Sequence, residues 1–198
     1  GKGTGEVSLL RRMWDLLKRG DVLLADGLMC NWRNLYELQQ QGVAVVTRLN
    51  KALRKADFRK GTRLGPDDHL VRWPKPFIRD VGRAAQRAMP RFLTVREVRV
   101  RVKQAGFRTR EVIVVTTLLD PRKYSKEDLG DLYWARWNQE LDLRSIKTTM
   151  QMDVLRCKTP ELVHKEVWTH LLAYNLIRTV MAQAAEKHGV SPRTLSFK

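Results

Sequence analysis

The sequence predicts an α/β protein, and three observations carry that expectation. "DVLLAD" at 21–26 and "VAVVTRL" at 43–49 are short apolar runs of buried-strand length. "NWRNLYELQQQG" lies between them with helical character and closes on Gly42. From Ser125 onward the chain returns to long helical spacing. Strand, helix and strand joined by short connections are the building unit of an α/β core.

The elements follow in order. "VSLLRRMWDLLKRG" at 7–20 spaces Leu9, Leu10, Met13, Leu16 and Leu17 as a helix stopped by Gly20. The strand–helix–strand unit comes next and completes a first region at 1–49. Near Asn50 the texture changes. Residues 51–91 are rich in charge, Pro and Gly, and "WPKPF" stands out. "VRVRV" at 98–102 alternates strictly, with Arg99 and Arg101 on the polar face. "KQAGF" supplies a turn, and "EVIVVTTLL" at 111–119 returns as a more buried strand that can rejoin the core sheet. Residues 50–118 therefore read as a β-rich insertion. In the third region, 119–198, Ser125 and Asp128 fit a capping box for a helix running to about Met150, with Gly130 a weak spot. Thr159 and Pro160 open a last helix, whose stripe of Leu162, Val163, Val167, Leu171, Leu172, Leu176 and Val180 is expected to be core packing.

Composition bounds the function. Lys and Arg outnumber Asp and Glu by 38 to 21, for a formal charge of +17. That excess argues for a polyanionic partner such as double-stranded DNA. No apolar run approaches the roughly 20 residues of a membrane helix, so a membrane is not expected as partner. The opening "GKGTGEVSLL" has no initiator Met and reads like the interior of a longer polypeptide. It lacks Walker spacing and is expected to be a flexible end. Cys30 and Cys157 have no metal-site spacing and read as buried thiols in a reducing compartment.

One stretch carries chemistry. On a helix at about 100° per residue, Tyr133, Arg136, Glu140 and Lys147 share an arc of about 60°, with Arg144 and Trp137 at its edge. Leu132, Leu143, Ile146 and Met150 occupy a neighbouring face that can enter a core. Cations beside a carboxylate keep it ionised. A carboxylate inside a phosphate-binding stripe repels DNA unless a metal lies between them, and magnesium favours carboxylate and phosphate oxygens together. The plain alternative is a surface pair between Arg136 and Glu140, worth a few tenths of a kcal/mol.

The pattern Tyr-x2-Arg-x3-Glu-x6-Lys at Tyr133, Arg136, Glu140 and Lys147 resembles the signature of bacterial insertion-sequence DDE transposases. "GDVLLAD", "TTLLDP", "KTPE" and "HLLAYNLIR" are similar to the same family. The resemblance implies an RNase H-like, retroviral-integrase-type catalytic core, here lacking its first strands, with a β-rich insertion. It implies DNA strand cleavage and strand transfer at transposon ends by metal-assisted phosphoryl transfer, with two magnesium ions. The family's Glu falls on Glu140 and its second catalytic Asp on Asp26, both as metal ligands. Tyr133, Arg136 and Lys147 would contact DNA, with Arg144 beside them. A homodimer assembled on DNA and a bacterial cytoplasmic, nucleoid-associated location are further implications. Many members place Arg after the second Asp, where this chain has Gly27. No residue upstream suits the first catalytic Asp: Asp15 is expected in mid-helix and Asp21 in a turn. The chain is thus expected to be the C-terminal portion of such an enzyme. A noncatalytic DNA-binding module from a decayed or exapted transposase is the alternative.

Three other features invite function. "DDH" at 67–69 reads as a solvated turn. His164 and His170 fall on opposite sides of one helix. Trp73 is either a buried anchor or a stacking platform for an unpaired base.

Overall fold

The computed structural model describes residues 5–101 and 111–197. The chain divides into two compact units, Gly1–Arg136 and Trp137–Lys198. The turn expected at "KQAGF", and all of "GKGTG" except Gly5, lie outside the described residues.

In the first unit, helix α1 (Glu6–Arg12) ends sooner than its apolar spacing predicts. A single 3-10 turn, Trp14–Leu16, follows and carries Trp14 into the core, so Asp15 lies on that turn. Strand β1 (Val22–Ala25), helix α2 (Trp32–Gln40) and strand β2 (Ala44–Arg48) form the expected unit, with β1 and β2 parallel. The Asn31 side chain caps α2 by accepting from the Asn34 N–H, and Gly42 beyond its end takes φ +77°, which favours glycine. Strands β3 (Thr62–Gly65), β4 (Asp68–Pro74), β5 (Phe92–Arg101) and β6 (Glu111–Thr116) follow, with helix α3 (Arg83–Ala88) before β5. The result is one six-stranded sheet in the order β1-β2-β6-β5-β4-β3, and every pairing except β1 with β2 is antiparallel. The fold is mixed α/β with a mostly antiparallel sheet.

Strand alternation sends apolar side chains to both faces. On one face Val45, Leu93, Val95 and Val115 pack with Trp32, Leu35 and Leu38 of α2. On the other, Val46, Val98, Val100, Val112 and Val114 pack with Leu129 and Tyr133. The latter two belong to helix α4 (Lys126–Arg144), which opens with the expected capping box: Ser125 and Asp128 each donate a backbone N–H to the other's side chain. Gly130 does not interrupt α4. A Cβ there would meet Val100 at 3.5 Å, an ordinary van der Waals contact, so α4 packs directly on β5.

The charged core is a departure from the sequence reading. Of "DDH", only Asp67 is a solvated turn residue. Asp68 and His69 begin β4 and are buried. Arg96, fully buried, donates from Nε and Nη2 to the two Asp68 oxygens and from Nη1 to the Tyr124 carbonyl. Glu97 accepts from the Trp73 indole at 2.8 Å and faces His69 Nε2 at 3.0 Å, while His69 Nδ1 lies 2.6 Å from the Lys60 carbonyl oxygen. Successive residues of β5 thus project one ionic group to each face. Trp73 is a buried anchor, with the Arg54 guanidinium 4.7 Å from its ring centroid. Cys30 is buried, and desolvation pushes its thiol up to about 12; Cys157 is only half-buried.

In the second unit α4 does not continue as an α-helix to Met150. After Arg144 the chain widens into a π-helical turn, Ser145–Thr149, closed by a Met150 N–H bond to the Ser145 carbonyl. Helix α5 (Pro160–Lys187) starts as predicted, with the Thr159 hydroxyl accepting from the Leu162 N–H. Asp142 gathers the unit together, accepting from Arg178 and from both Nη1 and Nη2 of Arg193. Burial pushes its carboxyl up, but hydrogen bonds from Arg193, Tyr174 and Arg178 outweigh that and hold it at about 2. Glu166 accepts the backbone N–H groups of Arg156 and Cys157, fastening the preceding loop to α5. The expectation that the α5 stripe is core packing fails: Leu162, Leu172, Leu176 and Val180 are exposed, and Ala185 is the helix's one fully enclosed residue among those described. Leu143, expected to enter the core beside Ile146, is also exposed.

Candidate active site

Asp26 directly follows the last residue of β1, so its carboxylate stands at the carboxyl end of a strand whose parallel neighbour ends at Arg48. Such strand ends are the usual ligand sites of parallel α/β units, because the backbone leaves the sheet there and opens a crevice. Asp26 is exposed, and one of its oxygens accepts the Leu28 N–H at 2.9 Å. Its backbone carbonyl accepts the Thr47 hydroxyl, which fixes the loop after β1 to β2.

A cleft of about 480 Å³ opens here, lined by Asp26, Gly27, Arg48, Asn50 and Lys51 among others. Asp26 and Arg48 share it yet form no ion pair with each other, and neither has a side-chain partner among the described residues. Gly27 makes the close approach possible. A Cβ on it would lie 3.3 Å from the Arg48 carbonyl oxygen and 3.5 Å from Arg48 Nε. Position 27 carries no cation of its own, and the Arg48 side chain from β2 stands against that glycine. Sequence reasoning missed Arg48 and Lys51. The signal was there: "TRLNK" places both at the carboxyl end of the strand parallel to the one that ends in Asp26.

The signature residues divide between the units. In the first, Tyr133 is only 7 % exposed, with its ring in the second apolar cluster. The Arg136 guanidinium lies 5.6 Å from that ring's centroid, a cation–π contact that fixes where the arginine can reach. In the second, Glu140 is half-buried on α4, and Arg144 and Lys147 are exposed. Lys147 sits on the π-helical turn, where each residue advances the helix by a smaller angle than the ideal 100°. Its side chain is therefore turned from the direction that a regular α-helix would give it locally. Among the described residues no group of three or more carboxylate, His or Cys side chains converges. Asp26 and Glu140 offer hard oxygen donors, the chemistry that suits magnesium.

The transposase DDE domain family matches residues 3–176, most of the chain. The chain belongs to that family. It is 37% identical over 149 residues to the transposase InsG for insertion sequence element IS4 of Escherichia coli (strain K12), covering 73% of this chain. It is 35% identical over 69 residues, 35% of the chain, to the transposase for insertion sequence element IS421 of Escherichia coli. This DDE domain spans 32% of the first relative's length and 19% of the second's. No solved structure matches it. Among the described residues of the DDE domain, no helix is long and apolar enough to cross a membrane.

Proposed function

We propose that this DDE domain contributes to DNA strand cleavage and strand transfer at the ends of a mobile element, within an RNase H-like core assembled as a homodimer on DNA. The observation that carries the reading is Asp26: an exposed carboxylate at the carboxyl end of a parallel strand, in a cleft shared with cations that leave it unpaired. An acid placed there for stability would be expected to take Arg48 as its partner.

Asp26 and Glu140 are the residues that would hold divalent metal, magnesium by the hardness of their oxygens. When bound, such ions supply Lewis acidity that activates a water or a DNA 3′-hydroxyl and stabilises the departing oxygen. The remaining work belongs to the chain. Arg48 and Lys51 bind the phosphate that approaches Asp26, and Arg48 takes the place of a cation at position 27. Arg136, braced on the buried Tyr133 ring, holds a second phosphate in a fixed direction. Tyr133 acts through Arg136, since little of its ring can meet DNA. Arg144 and Lys147 bind the backbone beyond. Such contacts position the duplex without reading its sequence.

The test uses the complete transposase polypeptide and a transposon-end duplex. Glu140→Gln keeps the side chain's shape and removes the charge that holds metal. Cleavage should fall by orders of magnitude while end binding persists. Normal cleavage by that variant would return Glu140 to a surface role. For the DDE domain alone, binding to duplex DNA should weaken steeply with salt, each neutralised phosphate adding about −0.9 to the log–log slope.

A further inference from the structure

Helix α5 exposes an apolar stripe of four large side chains at four-residue spacing: Trp168 (63 %), Leu172 (61 %), Leu176 (60 %) and Val180 (64 %). Successive members turn by about 40°, so the stripe covers roughly a third of the helix surface. Water is a poor neighbour for an indole and three branched chains in one row, and a contiguous apolar patch of this kind marks an interaction site.

The pattern along the stripe says what covers it. The four residues are symmetric about Tyr174: Trp168 and Val180 are equidistant from it, and so are Leu172 and Leu176. Laid antiparallel on a copy of itself, the helix brings Trp168 against Val180 and Leu172 against Leu176, each contact occurring twice. The same register sets Glu161 opposite Lys187, again twice, on the same face of the helix. Lys165, which holds Glu161 at 2.7 Å, then faces the uncharged Gln183. A parallel pairing would instead set Glu161 against Glu161 and Lys187 against Lys187. Trp168 meets the smaller Val180 at each end of the antiparallel seam with leucines between, opposite charges close both ends, and the helix dipoles oppose. These are the conditions for an isologous two-fold interface, in which one patch meets itself.

We propose that α5 is a self-association surface, through which two copies of this chain pair antiparallel about a two-fold axis at Tyr174, with Glu161 of one copy meeting Lys187 of the other. The proposal gives a surface to the homodimer reading, yet its test needs neither DNA nor catalysis, so the two can fail separately. Sedimentation equilibrium of the chain without DNA, across micromolar concentrations, should show a monomer–dimer equilibrium. Leu172→Glu should leave a monomer with unchanged helical circular dichroism. Glu161→Lys should weaken the dimer several-fold, because two lysines then meet at each end. Glu161→Lys combined with Lys187→Glu should restore it, and should do so only if those positions face each other. A chain that stays monomeric at every concentration overturns the proposal, handing the stripe to another protein or to another part of the polypeptide. So does a dimer indifferent to Leu172→Glu, or a charge exchange that fails to restore association.

Discussion

The two units solve the same problem in opposite ways. In the first, the sheet encloses its apolar side chains on both faces and buries charge as well: Arg96 with Asp68, and Glu97 with His69 and Trp73. Every one of those groups has a partner inside the unit. In the second, a 28-residue helix encloses a single alanine and leaves its largest apolar residues in water, and one carboxylate, Asp142, does much of the fastening. The second relies on half-exposed polar contacts, those of Asp142 foremost. Core substitutions should be severe in the first unit and mild in the second, and four measurements sharpen or break that contrast.

The largest effect is expected at Arg96. Arg96→Met strands the buried Asp68 carboxylate and the Tyr124 carbonyl, which should cost about 3–5 kcal/mol in urea unfolding. Adding Asp68→Leu should recover much of that loss, since removing both charges of a buried pair is often neutral. Glu97 comes next. Glu97→Leu leaves the Trp73 indole N–H and a His69 ring nitrogen unsatisfied, at about 1–3 kcal/mol for each. Glu97→Gln should cost far less, because its amide can accept from Trp73 and donate to a neutral His69. Equal losses for Leu and Gln would mean that the charge at Glu97, rather than its hydrogen bonds, holds this part of the core.

In the second unit, Asp142→Asn should cost about 1–2 kcal/mol by weakening the bonds from Arg178 and Arg193. The pH dependence has a definite sign. The carboxyl is held at about 2 in the folded chain, against roughly 4 when unfolded. Its contribution is complete above the unfolded value and is lost as pH falls through the folded one. Helical circular dichroism should therefore show acid loosening of this unit between about pH 4 and 2, absent in Asp142→Asn. The smallest effect is expected at Leu172. Leu172→Ala should change the stability of the monomer by no more than about 0.5 kcal/mol, whereas Leu35→Ala in the first unit should cost about 2–5 kcal/mol.

The same contrast marks what the sequence could tell. The strand–helix–strand unit was legible because each piece buries one continuous apolar run, and Asn31, Gly42, Ser125 and Thr159 announce their caps and stops locally. Asp68, His69, Arg96 and Glu97 were not legible as core. A charged residue reads as surface until its partner is known, and these partners meet only through strand register. The α5 stripe misled for the reverse reason: helical spacing says that a face is apolar, and nothing local says whether the chain itself covers it. At the site, Asp26 and Glu140 came from a motif. Arg48 did not, because its place beside Gly27 depends on the parallel register of β1 and β2. Lys147 kept its place in the motif but lost its calculated direction, since no local signal marks the π-helical turn.

We propose that Asp26 and Glu140 are both ligands of divalent metal. Iron-directed cleavage of the chain on duplex DNA tests it directly, because ferrous ion substitutes for magnesium and cuts the backbone beside its ligands when treated with peroxide. Cuts are expected next to both Asp26 and Glu140, suppressed by excess magnesium, and each should be lost when its own carboxylate is replaced, by Asp26→Asn or by Glu140→Gln. Cuts at one position only, or a cut that survives loss of the carboxylate beside it, would contradict that assignment.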